Sequence, residues 1–575
     1  MKGSAFRSFV GAALVSAAAL TAGGATARGD DAVPALPSAP GSAASPSVDP
    51  TPLGTLATPP AATVEPATPA PIAPAPQAAE VDPVPPELGK AVNRLLQGAA
   101  KSNPLGAGNW NSARQAIRAF YEGHAFAPVW IDAHGLTPSG RNLAARLAHA
   151  NADGLDLSAF SLPSPTFAES DPQRLAEADL TLSAAAVVYA LQASGARIKP
   201  TSISPYVTAR PTIADAAVTL NALVGDPDPG AALQALNPPQ KGYRDLREEL
   251  AQLLETTPAA EEPIAPGPIL KIGMVDPRVP LIRAKLGLGS TADGLQAVYD
   301  ARIASAVAAF QRSRGLAANG AWTEATSEAL TGDPQIRREG AIRANMEMWR
   351  WQPRDMGEER IEVNVADYTL HLMRGEDEIH RARVIVGKPD TPTPVFSNSV
   401  KYILVNPIWR VPDSIIDKEM KPKLAKDPDW LTNHGYKVTQ SGDRMVVEQP
   451  PGEANALGRI LFMFPNEHSV YLHDTPTRGL FATARRALSH GCVRVEQPMH
   501  LAEILLGGAA HGWSERRVES MLGTNERAIF LPAPVPIHLE YFTEFVDETG
   551  ALREREDIYG LTAKVAATLS ALRQD

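Results

Sequence analysis

The chain reads as a multidomain α+β protein, with a helical N-terminal body, a small three-helix unit and a mainly β C-terminal domain interrupted by a helical insertion. Two changes along the sequence carry that reading. Apolar residues recur at helical spacing from about residue 89 to 332. From about residue 345 the period becomes two, in β-branched runs separated by Asp, Gly or Pro. A length of 575 residues suits about three to four domains.

Lys2 and Arg7 lead into an apolar stretch from Phe9 to Leu20, and Ala25-Thr26-Ala27 offers a small-x-small cleavage site. Residues 1–27 therefore read as a secretory signal peptide, with an uncleaved inner-membrane anchor as the alternative. No cysteine is available there for lipidation. Residues 28–88 are Pro, Ala, Ser and Thr with hardly an aromatic, a linker that cannot bury enough surface to order itself. The net charge of -10, with no basic tract against it, excludes a nucleic-acid partner.

Residues 89–262 carry helical patterns and no catalytic cluster, which suggests a scaffold. Ser112 is placed to cap a helix bearing Ala113, Ala116, Ile117 and Phe120 on one face. Thr137-Pro138 opens another, with Leu143 and Leu147 inward. Longer helices are expected near 181–196 and 242–255. After a Pro-rich spacer, residues 269–332 predict three helices. Val279, Ile282 and Leu286 share one face, and Ile303, Val307 and Phe310 the next, with turns at Gly315-Leu316 and Asn319-Gly320.

Strands are predicted at 361–365, 368–372, 383–386, 402–405 and 444–448, and 469–472 runs into His473. Residues 538–546 and 551–555 flank Asp547-Glu548-Thr549-Gly550, a hairpin signal. Within this domain, 345–575, a stretch from about 410 to 455 departs from the β pattern, with Ser414 to Ala425 and Trp430 helical.

Cys492 is the only cysteine, set in Ser489-His490-Gly491-Cys492-Val493-Arg494. In an oxidising compartment it has no intramolecular partner, and its Gly, Ser and Arg surroundings favour a reactive thiolate over an inert core residue. The chemistry of a cysteine nucleophile needs a base and a donor for the developing oxyanion. His473, about twenty residues earlier, can take the proton. Gly491 allows a tight turn that aims the Cys492 N–H at an oxyanion. Arg494, Arg485 and Arg486 bring positive charge. Ser489 and His490 flank the thiol, His468 and His500 read as surface residues, and no spacing suggests a metal site.

The run Ala308-Ala309-Phe310-Gln311, then Gly315-Leu316 and Asn319-Gly320, resembles the peptidoglycan-binding domain 1 family. His473-Asp474-Thr475-Pro476 followed by Ser489-His490-Gly491-Cys492-Val493-Arg494 resembles the signature of L,D-transpeptidases with the YkuD catalytic domain. Val386-Gly387-Lys388, Thr391-Pro392-Thr393-Pro394-Val395-Phe396 and Asn406-Pro407-Ile408-Trp409-Arg410-Val411-Pro412 extend the match. The whole order of parts resembles the large YcbB-type branch of Gram-negative bacteria. That resemblance implies a periplasmic enzyme making 3-3 cross-links between peptidoglycan stem peptides, from a tetrapeptide donor to a diaminopimelate acceptor, through a Cys492 thioester. It implies acylation by carbapenems, no cofactor, and a lid over the cleft at 410–455. Catalytic roles fall on Cys492, His473, Gly491 and Asp474, the last through its backbone carbonyl or its side chain. Tyr471, Arg494, Ser489 and His490 would meet substrate; Tyr471 equally suits a sheet residue, Arg494 a loop brace and His490 a structural loop residue. An L,D-carboxypeptidase and a non-catalytic wall-binding protein are the alternatives, and partner peptidoglycan synthases stay unnamed.

Overall fold

The computed structural model describes residues 86–98, 107–256, 264, 267–289, 295–313, 317–331, 334–442 and 444–572. The expected signal peptide, nearly all of the linker and the Gly315-Leu316 turn lie outside the described residues.

Helices Pro86–Gln97, Ala107–Gly123, Pro138–Ala148, Pro172–Ala193 and Ala216–Gly225 enclose a first core that includes Leu88, Ile117, Trp130, Leu143 and Leu182. Thr137 caps its helix as expected, accepting from the Gly140 N–H at 3.0 Å with Pro138 just inside. Ser112 does not cap. Its helix begins at Ala107, five residues earlier, because a longer helix buries Trp110 edge-on against Phe160. Tertiary burial outweighs the local capping signal.

The last helix of the helical body shares its buried face with the β domain. Tyr243, Leu246 and Leu250 of helix Lys241–Thr256, with Ile198 and Val207, pack into the core of the β domain rather than into the first core. They reach it across Ile342, Met346 and Trp349 of the connector helix Pro334–Trp349. The small unit keeps a core of its own from Leu270, Val279, Ile282, Tyr299, Ile303, Val307 and Trp322, with three helices at Val279–Lys285, Ala301–Ser313 and Glu324–Thr331.

The C-terminal domain holds β1 (Glu359–Asn364), β2 (Thr369–Arg374), β3 (Asp377–Gly387), β4 (Phe396–Val405), β5 (Trp409–Arg410), β6 (Lys437–Ser441), β7 (Arg444–Gln449), β8 (Ile460–Met463), β9 (Leu472–His473), β10 (Ala487–Ser489), β11 (Val493–Val495), β12 (Arg527–Glu540), β13 (Glu544–Val546) and β14 (Leu552–Glu554). The main sheet runs β10-β3-β11-β9-β8-β4-β12-β1-β2, and β2 returns to pair with β3, so the sheet closes on itself. β13 and β14 form the expected hairpin. β12 is far longer than its sequence suggests, because Pro532, Pro534 and Pro536 obscure it. The register slips between Phe530 and Val535, where prolines have no ladder N–H to lose.

The insertion is only partly helical. Short helical turns from Asp413 to Leu424 and at Trp430–Asn433 lie against a separate sheet, β5-β7-β6. Val411, Ile416, Met420, Leu431 and Val447 give it a core of its own. Buried Asn455 clasps both necks, its amide donating to the carbonyls of Pro407 at one end and of Gln449 and Pro450 at the other. No helix among the described residues is long and apolar enough to cross a membrane.

Candidate active site

β9 and β11 lie side by side and parallel, Val493 opposite Leu472 and Arg494 opposite His473, with the Val493 N–H bonded to the Tyr471 carbonyl at 3.1 Å. Strand alternation does the rest. Leu472 and Val493 are fully buried in the core. Tyr471, His473, Cys492 and Arg494 are left on the opposite face, and the Tyr471 and His473 rings meet edge to face at 5.8 Å. Two short strands thus gather four of the residues singled out in the sequence.

The Cys492 thiol is half-buried, with Sγ 3.9 Å from the Ser469 carbonyl oxygen. Burial pushes its pKa up to about 11, against the opposing pull of the Tyr471 backbone and hydroxyl and the Arg494 charge. Buried His473 is pulled down to about 3, first by burial and then by Arg494, while backbone groups of Asp474 and Leu457 favour its protonation. The resting pair at neutral pH is therefore thiol and neutral imidazole, not the thiolate expected from the sequence. Arg494 acts on both partners to one end: it favours a thiolate and keeps the base unprotonated. Burial raises the Tyr471 phenol well beyond its ordinary range, and the neighbouring sulfur adds to this.

Asp474 is buried, and its carboxylate turns away from the histidine. Oδ2 accepts the Arg459 N–H at 2.9 Å and lies 3.5 Å from Arg478, whereas Oδ1 and the His473 Nδ1 both lack a hydrogen bond. Gly458 makes the room: a Cβ there would stand 2.5 Å from the Asp474 side chain.

Gly491 sits at φ 116°, a conformation suited to glycine. The Ser489 hydroxyl turns into the nucleophile loop. Ser489 is buried, and its hydroxyl donates to the Cys492 carbonyl at 2.5 Å and accepts the Gly491 N–H at 3.1 Å. His490 points to the insertion, its Nε2 2.6 Å from Glu419 Oε1. Arg494 reaches Thr477 Oγ1 at 3.4 Å. Arg485 and Arg486 serve elsewhere: Arg485 pairs with Glu556, and Arg486 donates to the carbonyls of Val384 and Tyr368. His468 is no free surface residue, since Nε2 lies 2.9 Å from Thr208 Oγ1 of the helical body.

Sequence reasoning missed Asn466, whose side chain binds the main chain of Phe464, His468 and Val470 and so shapes the loop carrying Ser469. It also missed Glu419 and Tyr559, and it placed Thr393 in a motif without giving it a role. Lone polar residues carry no periodic signal. His500, Glu503 and Glu515 bring ligand atoms within 4.8 Å of one another, a grouping invisible in the spacing because it joins two helices. The three already engage each other: His500 Nδ1 lies 2.8 Å from Glu515 Oε1, and Glu503 accepts the Glu515 N–H.

Residues 358–524 match the family described as "L,D-transpeptidase catalytic domain", residues 115–250 the "Scaffold domain" and residues 284–330 the "Putative peptidoglycan binding domain". A curated Haemophilus influenzae protein described as "Putative L,D-transpeptidase" is 36% identical over 224 residues, covering 35% of this chain and 44% of that protein. The chain thus matches less than half the length of that relative. Among solved structures, an L,D-transpeptidase from Mycobacterium smegmatis is 14% identical with TM-score 0.17, over 32% of this chain and 58% of that one. L,D-transpeptidase 3 from Mycobacterium tuberculosis, in complex with a faropenem-derived adduct, is 12% identical with TM-score 0.16, over 32% and 60%.

Proposed function

The chain carries a YkuD-type L,D-transpeptidase catalytic domain beside a scaffold and a peptidoglycan-binding domain, and from this premise we propose that it forms 3-3 cross-links between peptidoglycan stem peptides. The observation that carries the reading is the shared face of His473 and Arg494 on β9 and β11 with Tyr471 and Cys492, the residues that lead into those strands. Cys492 Sγ attacks the carbonyl joining diaminopimelate to the terminal D-Ala of a tetrapeptide, and the thiol proton passes to His473. A buried neutral imidazole beside a neutral thiol makes that transfer part of the attack rather than a step before it. The Cys492 N–H receives the oxyanion. Collapse breaks the amide, His473 returns the proton to the departing D-Ala amine, and a thioester remains. The side-chain amine of diaminopimelate on a second stem then attacks it, giving up a proton to His473, and the thiol is released.

The exchange of one amide for another needs no energy source, and we assign no cofactor. The insertion acts as a lid, supported by its separate core, its clasped necks and its contact from Glu419 to His490. The signal-like N-terminus suits a periplasmic site of action, and carbapenems should acylate Cys492. Hydrolysis of the same thioester would make the enzyme an L,D-carboxypeptidase. Tetrapeptide muropeptides incubated with the full chain decide between them by product mass: cross-linked dimers are expected, and trimmed tripeptides alone would replace this reading with the hydrolytic one.

A further inference from the structure

The peptide joining Gly491 to Cys492 is held from behind. Its carbonyl accepts the Thr393 hydroxyl at 2.7 Å, and that hydroxyl in turn accepts the Gly387 N–H at 2.9 Å. Thr393 is buried, with both capacities of its hydroxyl used. No cis peptide bond occurs among the described residues, so a carbonyl drawn inward turns the Cys492 N–H to the opposite side. No acceptor among the described residues takes that N–H. Ser489 fixes the next peptide by its bond to the Cys492 carbonyl.

The strut continues beyond the matched catalytic domain, which ends at residue 524. The Tyr559 hydroxyl donates to the Gly387 carbonyl at 2.6 Å and accepts the Thr393 N–H at 3.2 Å. Tyr559 is itself held by Tyr541: the rings stack at 5.5 Å, and the Tyr541 hydroxyl accepts the Tyr559 N–H while donating to Asp557. Gly387 permits the close approach, since a Cβ there would stand 2.2 Å from the Thr391 carbonyl oxygen.

We propose that Thr393, braced by Tyr559 of the C-terminal segment, is a positioning residue that sets the Gly491–Cys492 peptide plane and so presents the Cys492 N–H to the oxyanion. The inference rests on the acyl-transfer reading above and deepens it. Two reagents separate this role from simple packing. Meropenem acylates Cys492 through a tetrahedral oxyanion, whereas iodoacetamide alkylates the sulfur by displacement and forms none. For Thr393→Val, acylation should slow about tenfold or more while alkylation stays within about twofold of wild type. Thr393→Ser should acylate near the wild-type rate, and Tyr559→Phe should show a smaller loss confined to acylation. Unchanged acylation in Thr393→Val, or an equal fall in both rates, overturns the proposal. Should Thr393→Val fail to fold, the same comparison on Tyr559→Phe decides by the same criteria. Wild-type protein that alkylates yet never acylates would sink the acyl-transfer function itself, and this inference with it.

Discussion

At the scale of single residues, the two reacting groups are tuned against charge. Cys492 stands near 11 and His473 near 3, so at pH 7 almost no thiolate is present in the resting site. Iodoacetamide kinetics check this. Below about pH 10 the alkylation rate should climb roughly tenfold per pH unit, because only the thiolate reacts. A plateau through neutral pH would mean a preformed ion pair and would contradict the assignment. Arg494→Met removes the charge that favours the thiolate, so its alkylation profile should move to higher pH, with His473 easier to protonate. His473→Gln should lower peptide acylation by about 10²- to 10⁴-fold, measured by stopped-time mass analysis.

Cys492, His473 and Arg494 stand in one short signature, and a two-residue strand pairing is enough to bring them together. The neutrality of the pair was not legible, since it follows from burial by β8, β9 and the segment at Leu457, far from the cysteine in the chain. Ser489 was placed beside the thiol, but its orientation depends on Gly491, and only the folded loop reveals that the hydroxyl turns inward.

Among the elements, the lid was legible in part. The helical spacing at 414–425 corresponds to contiguous helical turns from Asp413 to Leu424 and the strand expected at 444–448 to β7, whereas β5 and β6, which complete the β5-β7-β6 sheet, gave no such signal. The lid's contact with the nucleophile loop, Glu419 Oε1 to His490 Nε2, is partly exposed and contributes on the order of 1 kcal/mol or less. Glu419→Ala should therefore loosen the lid by up to about fivefold, read as faster labelling of Cys492 by a bulky maleimide, with the melting temperature unmoved. Slower or unchanged labelling would contradict a closed, latched lid. Replacing 410–455 by a short loop should change turnover and leave the β core folded by circular dichroism, since the insertion carries its own apolar cluster. Collapse of the whole domain would contradict that independence.

For the whole molecule, the helical body keeps its first core and also packs helix Lys241–Thr256 into the core of the catalytic barrel. Glu347 on the connector helix is fully buried between Arg197 of the body and Arg350, at 2.5 and 3.4 Å. Arg350 also donates to the Asp153 carbonyl and Tyr243 hydroxyl. Removing one partner strands the others, so Glu347→Ala should cost about 3–5 kcal/mol, measured by urea unfolding. A loss below about 1 kcal/mol would show that water screens the cluster. The core that buries helix Lys241–Thr256 was not legible, because an amphipathic helix announces a buried face, but not which core buries it. In the small unit, Val279, Ile282, Ile303 and Val307 were legible as core residues, whereas Phe310, expected on the same face, stands outside that core.

The most direct measurement is acid-quenched intact-mass analysis of the full chain with a tetrapeptide stem, comparing wild type with Cys492→Ala. Acyl transfer through the Cys492 sulfur should give a tripeptide acyl adduct that maps to Cys492, one free D-Ala per adduct, and neither product in the variant. D-Ala release that persists without the sulfur, or an adduct on any other residue, would contradict it.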